Sequence, residues 1–240
     1  MVNVITADNL SLFAYTNESI CRRPVRGIAV SFFGLGGQAM FSEDPPEAVK
    51  MAESGILYVI PYLNPWAWMN PQAVAQTDEI LDALLYRAGC SALPVISSGG
   101  SMGGLSALIY TRYSRHAPVA CVANCPVCDL PYHYTERPDL PRTLYSAFGT
   151  SPAATLQEAM EAASPLHLAI KGDMPKVKYT IFHCTADQAV NKQMHSDRFV
   201  EAMAAVASVD YHAVPDRGHC DLPPDMRDLY EKTIIDSVSL

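Results

Sequence analysis

Residues 93–105, reading Leu-Pro-Val-Ile-Ser-Ser-Gly-Gly-Ser-Met-Gly-Gly-Leu, restrict the fold more than any other stretch of the chain. The apolar run Leu93-Pro94-Val95-Ile96 predicts a buried strand, and residues 105–113 have the composition of a buried helix. Between them Ser101 is flanked by Gly99, Gly100, Gly103 and Gly104. Strand, sharp turn and helix form the context in which a G-x-S-x-G spacing carries meaning. Only small residues two before and two after the serine let strand and helix come so close. The helix N-terminus then aims backbone N–H groups at whatever binds above Ser101. Ser101 is therefore a candidate nucleophile. The same glycines would also serve a plain turn, so the rest of the chain decides.

Apolar runs and helical patterns alternate along the remainder. Residues 2–6 and 10–15 read as two strands of a hairpin around Ala7-Asp8-Asn9. Residues 27–33 form a nearly continuous apolar strand that breaks at Gly34-Leu35-Gly36-Gly37. Further strands are expected at 56–60, 119–124, 177–184 and 209–214, with helices at 42–53, 73–88, 191–207 and 223–238. Continuous apolar strands between helices suit a mostly parallel sheet covered on both faces, so the fold class is α/β. Residues 129–164 mix prolines, tyrosines and charges without a clean period until a helical stretch at 153–163. They read as a small cap or lid inserted in a single domain spanning 1–240. A chain of 240 residues with 49% hydrophobic content suits one such domain.

The net charge of −8 and the lack of any basic run argue against nucleic acid or an anionic membrane surface as a partner. The N-terminus lacks a basic segment leading into an apolar one, and no run is long enough to span a bilayer, so a cytoplasmic location is expected. Seven scattered cysteines fit reduced thiols. Cys125-Pro126-Val127-Cys128 lacks the second ligand pair of a tetrahedral zinc site, so no metal and no cofactor are expected.

Parallel sheets bind ligands beyond the carboxyl ends of their strands. Asp187 follows the strand at 177–184, and Gly218-His219 follows the strand at 209–214. With Ser101 this gives the chain order Ser, Asp, His. Here the chain resembles the α/β-hydrolase superfamily, and within it the prolyl-oligopeptidase-like and esterase branch. The resemblance covers nearly the whole chain. It rests on Gly99-Gly100-Ser101-Met102-Gly103, on His183-Cys184-Thr185-Ala186-Asp187-Gln188-Ala189-Val190, on Gly218-His219 and, more weakly, on Ser164-Pro165-Leu166-His167.

The resemblance implies that Ser101 is the nucleophile, His219 its base and Asp187 the acid that orients the imidazole. It further implies an oxyanion hole made by the backbone N–H groups of Met102 and of one residue in 34–37, with Leu35 favoured by position. Two departures stand out. Phe33-Gly34 replaces the family's usual His-Gly, and Cys184 replaces the glycine that commonly follows the histidine ahead of the acid. Asp129, Asp173 and Asp216 are rivals to Asp187, Asp129 because it also follows a strand. Trp66, Trp68 and Met69 lie in the proline- and aromatic-rich loop at 61–71, where they either wall the pocket for an acyl or aryl group or pack beneath the cap. Arg137 and Arg142 could hold a substrate carboxylate or sit at the surface. The other six histidines read as surface, cap or strand residues.

The function expected is that of a serine hydrolase working through an acyl-enzyme, most simply a carboxylesterase on small to medium acyl esters. A peptidase or amidase resembling the prolyl-oligopeptidase catalytic domain is the alternative, and a non-catalytic binding protein on this fold is the third reading. The partner is a small-molecule ester or a short peptide, and the oligomeric state stays open.

Overall fold

Seven strands make one sheet: β1 (Ala14–Thr16), β2 (Gly27–Phe32), β3 (Ile56–Pro61), β4 (Val95–Gly100), β5 (Ala120–Asn124), β6 (Lys178–Cys184) and β7 (Val209–Val214). The structure, a computed structural model, describes residues 5–37, 40–149 and 153–238. Strand order is β1-β3-β2-β4-β5-β6-β7. All neighbours pair in parallel except β1, which runs antiparallel to β3 at the edge. Strands β3 and β5 are buried at every residue, and β2, β4 and β6 at all but one. That is why β2, β3 and β5 read as nearly continuous apolar runs and not alternating ones.

Two apolar layers sandwich the sheet. On one face lie α2 (Pro71–Ala88) and α3 (Met102–Tyr113), which bury Ile80, Leu84, Leu105 and Leu108. On the other lie α1 (Pro46–Glu53) and the C-terminal helix (Pro224–Ser237), which bury Met51 and Ile234. Helix α2 begins ahead of its apolar period because the Asn70 side chain accepts the Ala73 N–H at 3.0 Å and prolines suit a first turn. It stops at Gly89, whose φ of 68° only glycine adopts freely.

Among the described residues, the second arm of the expected N-terminal hairpin is not a strand from residue 10 onward. Residues 1–4 lie outside the described residues. Thr6 N–H donates to the Asn9 side chain at 2.7 Å, and a short 3₁₀ turn (Leu10–Leu12) follows. This local side-chain bond competes with strand pairing. The chain becomes a strand only at Ala14, and its partner is β3.

Among the described residues of 129–164 are three helices, α4 (Leu130–Glu136), α5 (Leu140–Phe148) and α6 (Leu156–Ala162). Asp129 caps α4 by accepting the Tyr132 N–H at 3.1 Å, and Thr155 with Glu158 forms a capping box on α6. After α7 (Pro165–Ile170) and β6, a π-helical turn (Gln193–Asp197) leads into α8 (Arg198–Met203), and α9 is the C-terminal helix already described. No described helix is long and apolar enough to cross a membrane.

At the turn after β4 the backbones touch. A Cβ on Gly99 would lie 2.4 Å from the Gly103 carbonyl oxygen, and one on Gly103 would lie 2.1 Å from that of Phe32. Neither carbonyl can move without breaking strand or helix bonds. Gly103→Ala is expected to cost about 3 kcal/mol, the upper range for overpacking. It would appear as a lower urea midpoint at unchanged slope.

Candidate active site

Ser101 sits at φ 60°, ψ −127° between β4 and α3, a conformation that costs a non-glycine residue about 1–3 kcal/mol. Its neighbours hold it there. The Ser101 N–H donates to the Asn124 carbonyl at 2.9 Å, and its own carbonyl accepts from Gly104 and Leu105 at 3.0 and 3.1 Å. Because β4, β6 and β7 run parallel, the segments after them emerge at one edge of the sheet.

Asp187 and His219 meet at that edge. His219 Nδ1 lies 2.6 Å from Asp187 Oδ2, whose side chain is fully buried. Asp187 Oδ1 accepts the N–H groups of Ala189 and Val190 at 2.8 and 3.0 Å, and His183 Nε2 stands 3.4 Å from Oδ2. Burial alone would raise the Asp187 carboxyl. The hydrogen bonds from His183 and His219 outweigh it and hold the group well below the usual range. Burial opposes a charge on His219, but the bond to Asp187 prevails and pushes the imidazole up to about 9. On its other side, His219 Nε2 is 3.8 Å from Cys220 Sγ. The Ser101 hydroxyl takes no hydrogen bond among the described residues.

Ser101, His219, Gly34, Leu35 and Trp68 line one cavity of about 400 Å³. A Cβ built on Gly34 would lie 3.7 Å from that of Ser101, so the loop after β2 faces the serine closely. The backbone N–H groups of Leu35 and Met102 donate to nothing among the described residues. Two unspent donors beside a serine are what a developing oxyanion needs.

The aromatic loop divides. Trp68 is 1% exposed, lines the Ser101 cavity and donates its indole N–H to Thr143 Oγ1 at 3.0 Å. Met69 lines a separate apolar cavity of about 470 Å³ under α5 and α6. Trp66 faces outward, with the Arg142 guanidinium 5.6 Å from its ring centre. Of the three, only Trp68 reaches the serine's cavity. Arg137 also lines that cavity, with its guanidinium paired to Asp139 at 3.0 and 2.6 Å. Among the rival acids, Asp129 caps α4 and pairs with Arg198 at 2.9 Å, and Asp173 pairs with Arg112.

No family model matches the sequence, and no curated protein matches it. Solved structures do. An S-formylglutathione hydrolase from Agrobacterium tumefaciens is 16% identical with a TM-score of 0.70, the match covering 94% of this chain and 88% of that one. A Mycobacterium tuberculosis puromycin-hydrolysing peptidase is 17% identical with a TM-score of 0.66, over 90% of this chain and 33% of that one. Pyrococcus horikoshii acylaminoacyl peptidase is 14% identical with a TM-score of 0.64, over 88% and 36%.

The chain has the α/β-hydrolase fold. It spans about a third of the length of the peptidases it matches. On this α/β-hydrolase frame three groups of described residues bring metal-binding atom types within 4.8 Å of one another. In the first, Cys125, His219 and Cys220, the bond from Cys220 and burial push the Cys125 thiol up, and Cys125 Sγ already accepts the N–H groups of Cys184 and Cys220. A protonated thiol is a poor metal ligand. In the second, Cys125, His183 and Asp187, His183 Nε2 lies 3.2 Å from the Val190 carbonyl and therefore carries its proton there. In the third, His133, Glu136 and His195, the rings donate to the carboxylate: His195 Nδ1 accepts the N–H groups of Cys128 and Asp129, which leaves its proton on Nε2. His133, read from the sequence only as a surface, cap or strand residue, lines the Ser101 cavity from α4. Its signal was Glu136 three residues on, one helical turn away.

Proposed function

We propose that the chain is a serine hydrolase that forms an acyl-enzyme on Ser101 and acts as a carboxylesterase on small to medium acyl esters. One observation carries this reading: a serine on a strained strand-to-helix turn shares a cavity with a histidine bound to a buried carboxylate. In the proposed cycle Ser101 Oγ attacks the ester carbonyl while His219 Nε2 takes its proton. Asp187 holds the Nδ1–H tautomer and stabilises the imidazolium. The oxyanion rests on the N–H groups of Leu35 and Met102, His219 returns the proton to the leaving alcohol, and water then releases the acid. Ser101 Oγ and His219 Nε2 share no hydrogen bond among the described residues and must come together for the first step. Such bonds are often loose without substrate and tighten in its complex.

Likeness to an S-formylglutathione hydrolase, at a TM-score of 0.70, supports the ester reading, and likeness to the peptidases, at 0.66 and 0.64, supports the second one. The test is a panel of nitrophenyl esters of increasing acyl length beside aminoacyl anilides, with Ser101→Ala as the blank. Ester turnover with little amide turnover is expected. Comparable kcat/KM on the anilides would favour the peptidase. Failure of an acyl-phosphonate probe to label Ser101, with no turnover, would leave a binding protein.

A pH profile gives a second check. Only neutral His219 can take the serine proton, so activity should fall as pH drops through its pKa. Because that value is raised to about 9, kcat/KM should still be climbing above pH 7. A plateau already reached at pH 6 would contradict the His219–Asp187 coupling.

A further inference from the structure

A second imidazole–carboxylate pair faces the same cavity. His133, on α4, is 3% exposed, and its Nδ1 lies 2.5 Å from Glu136 Oε2. The same oxygen receives His195 Nε2–H at 2.9 Å. The protons along this chain can be placed. Backbone N–H groups of Cys128 and Asp129, both 3.1 Å away, are donors and nothing else, so His195 Nδ1 is an acceptor and its Nε2 carries hydrogen. Glu136 is a carboxylate: burial would raise it, but the bonds from His133 and His195 lower it to about 2. A carboxylate accepts only, so His133 Nδ1 carries hydrogen too. Burial keeps the ring neutral. Its Nε2 is left as a bare lone pair, and it has no hydrogen-bond partner among the described residues.

The ring is clamped. Trp68 and His195 each meet it edge-on, with ring centres 5.5 and 5.4 Å away. Nδ1 is turned to Glu136, so Nε2 is the nitrogen left for the cavity that His133 shares with Ser101. An acceptor with a fixed tautomer that opens onto the cavity is preorganised for a donor brought there by a substrate. The neighbouring Arg137 guanidinium is directed to Asp139 by two of its N–H groups and makes no hydrogen bond to His133.

We propose that His133 Nε2 is a substrate-binding acceptor that selects acyl groups carrying a hydroxyl or amine donor. Glu136 and His195 are positioning residues that hold its tautomer. The proposal rests on the hydrolase reading and names the substrate class of that site.

The test compares nitrophenyl esters of β-hydroxybutyrate, β-aminobutyrate, β-methoxybutyrate and butyrate. The hydroxy or amino ester should exceed the methoxy ester in kcat/KM by on the order of 10–100-fold, and whichever donor leads tells hydroxyl from amine. His133→Phe should collapse that ratio to about one. His133→Phe with Glu136→Gln does the same without stranding a buried carboxylate, should the single variant fail to fold. Imidazole ¹⁵N shifts supply a readout that needs no turnover: His133 Nδ1 protonated and Nε2 bare is expected. The reverse tautomer, a wild-type ratio near one, or a ratio unchanged by the substitution would overturn the proposal. Phosphonate labelling of Ser101 with a ratio near one removes this proposal alone. No labelling and no turnover removes the hydrolase reading and this one with it.

Discussion

Ser101→Ala should lower ester kcat by roughly 10⁶-fold, the scale seen when a triad nucleophile is removed. Folding should survive. The Ser101 hydroxyl holds no hydrogen bond among the described residues, and its backbone bonds to Asn124, Gly104 and Leu105 do not depend on the side chain. An unchanged circular dichroism spectrum beside the lost activity would separate chemistry from stability. Residual activity of about 10³-fold over water would report the oxyanion hole working alone. Full retention of activity would sink the proposed mechanism.

Asp187→Asn should cost about 10⁴-fold in kcat, for a reason specific to this pocket. Oδ1 accepts two backbone N–H groups, from Ala189 and Val190, so an asparagine must place its carbonyl oxygen there. The amide NH₂ then faces His219 Nδ1. A donor at that point forces Nδ1 to accept and puts the proton on Nε2, where it cannot take one from Ser101. The NH₂ would also confront His183, whose Nε2 stands 3.4 Å from Oδ2. A lower melting temperature should accompany the kinetic loss. Steady-state kinetics with thermal melts of the variant check both, and a loss below tenfold would mean that another group orients His219.

The centre of the sheet was readable because β2 to β6 are buried on both faces and end in marked punctuation. Gly99 and Gly103 flank the serine, and Gly218 precedes His219, so candidate positions fell at strand ends without any contact being known. Helices α4 and α5 were not read, although each opens with Asp-Leu-Pro, at residues 129–131 and 139–141. Proline there is a first-turn residue, not a breaker, but at 7 and 9 residues the helices are too short to show a period. The split between Trp66 and Trp68 was hidden for a different reason. Trp68 and Met69 both have positive φ, 45° and 50°, so the loop reverses where an extended chain would simply alternate. The Cys125 and Cys220 contacts join residues 95 apart in sequence, which no local pattern encodes.

Cys220 matters for anyone who sorts this protein by inhibitor class. Its thiol stands on the cavity wall, 3.8 Å from the imidazole that the proposed reaction needs free. An alkylating reagent seated on that sulfur would crowd His219 and block the proposed reaction, giving the profile by which cysteine hydrolases are recognised. Inactivation by maleimide or iodoacetamide would thus say where a bulky group has lodged, and nothing about which atom attacks the substrate.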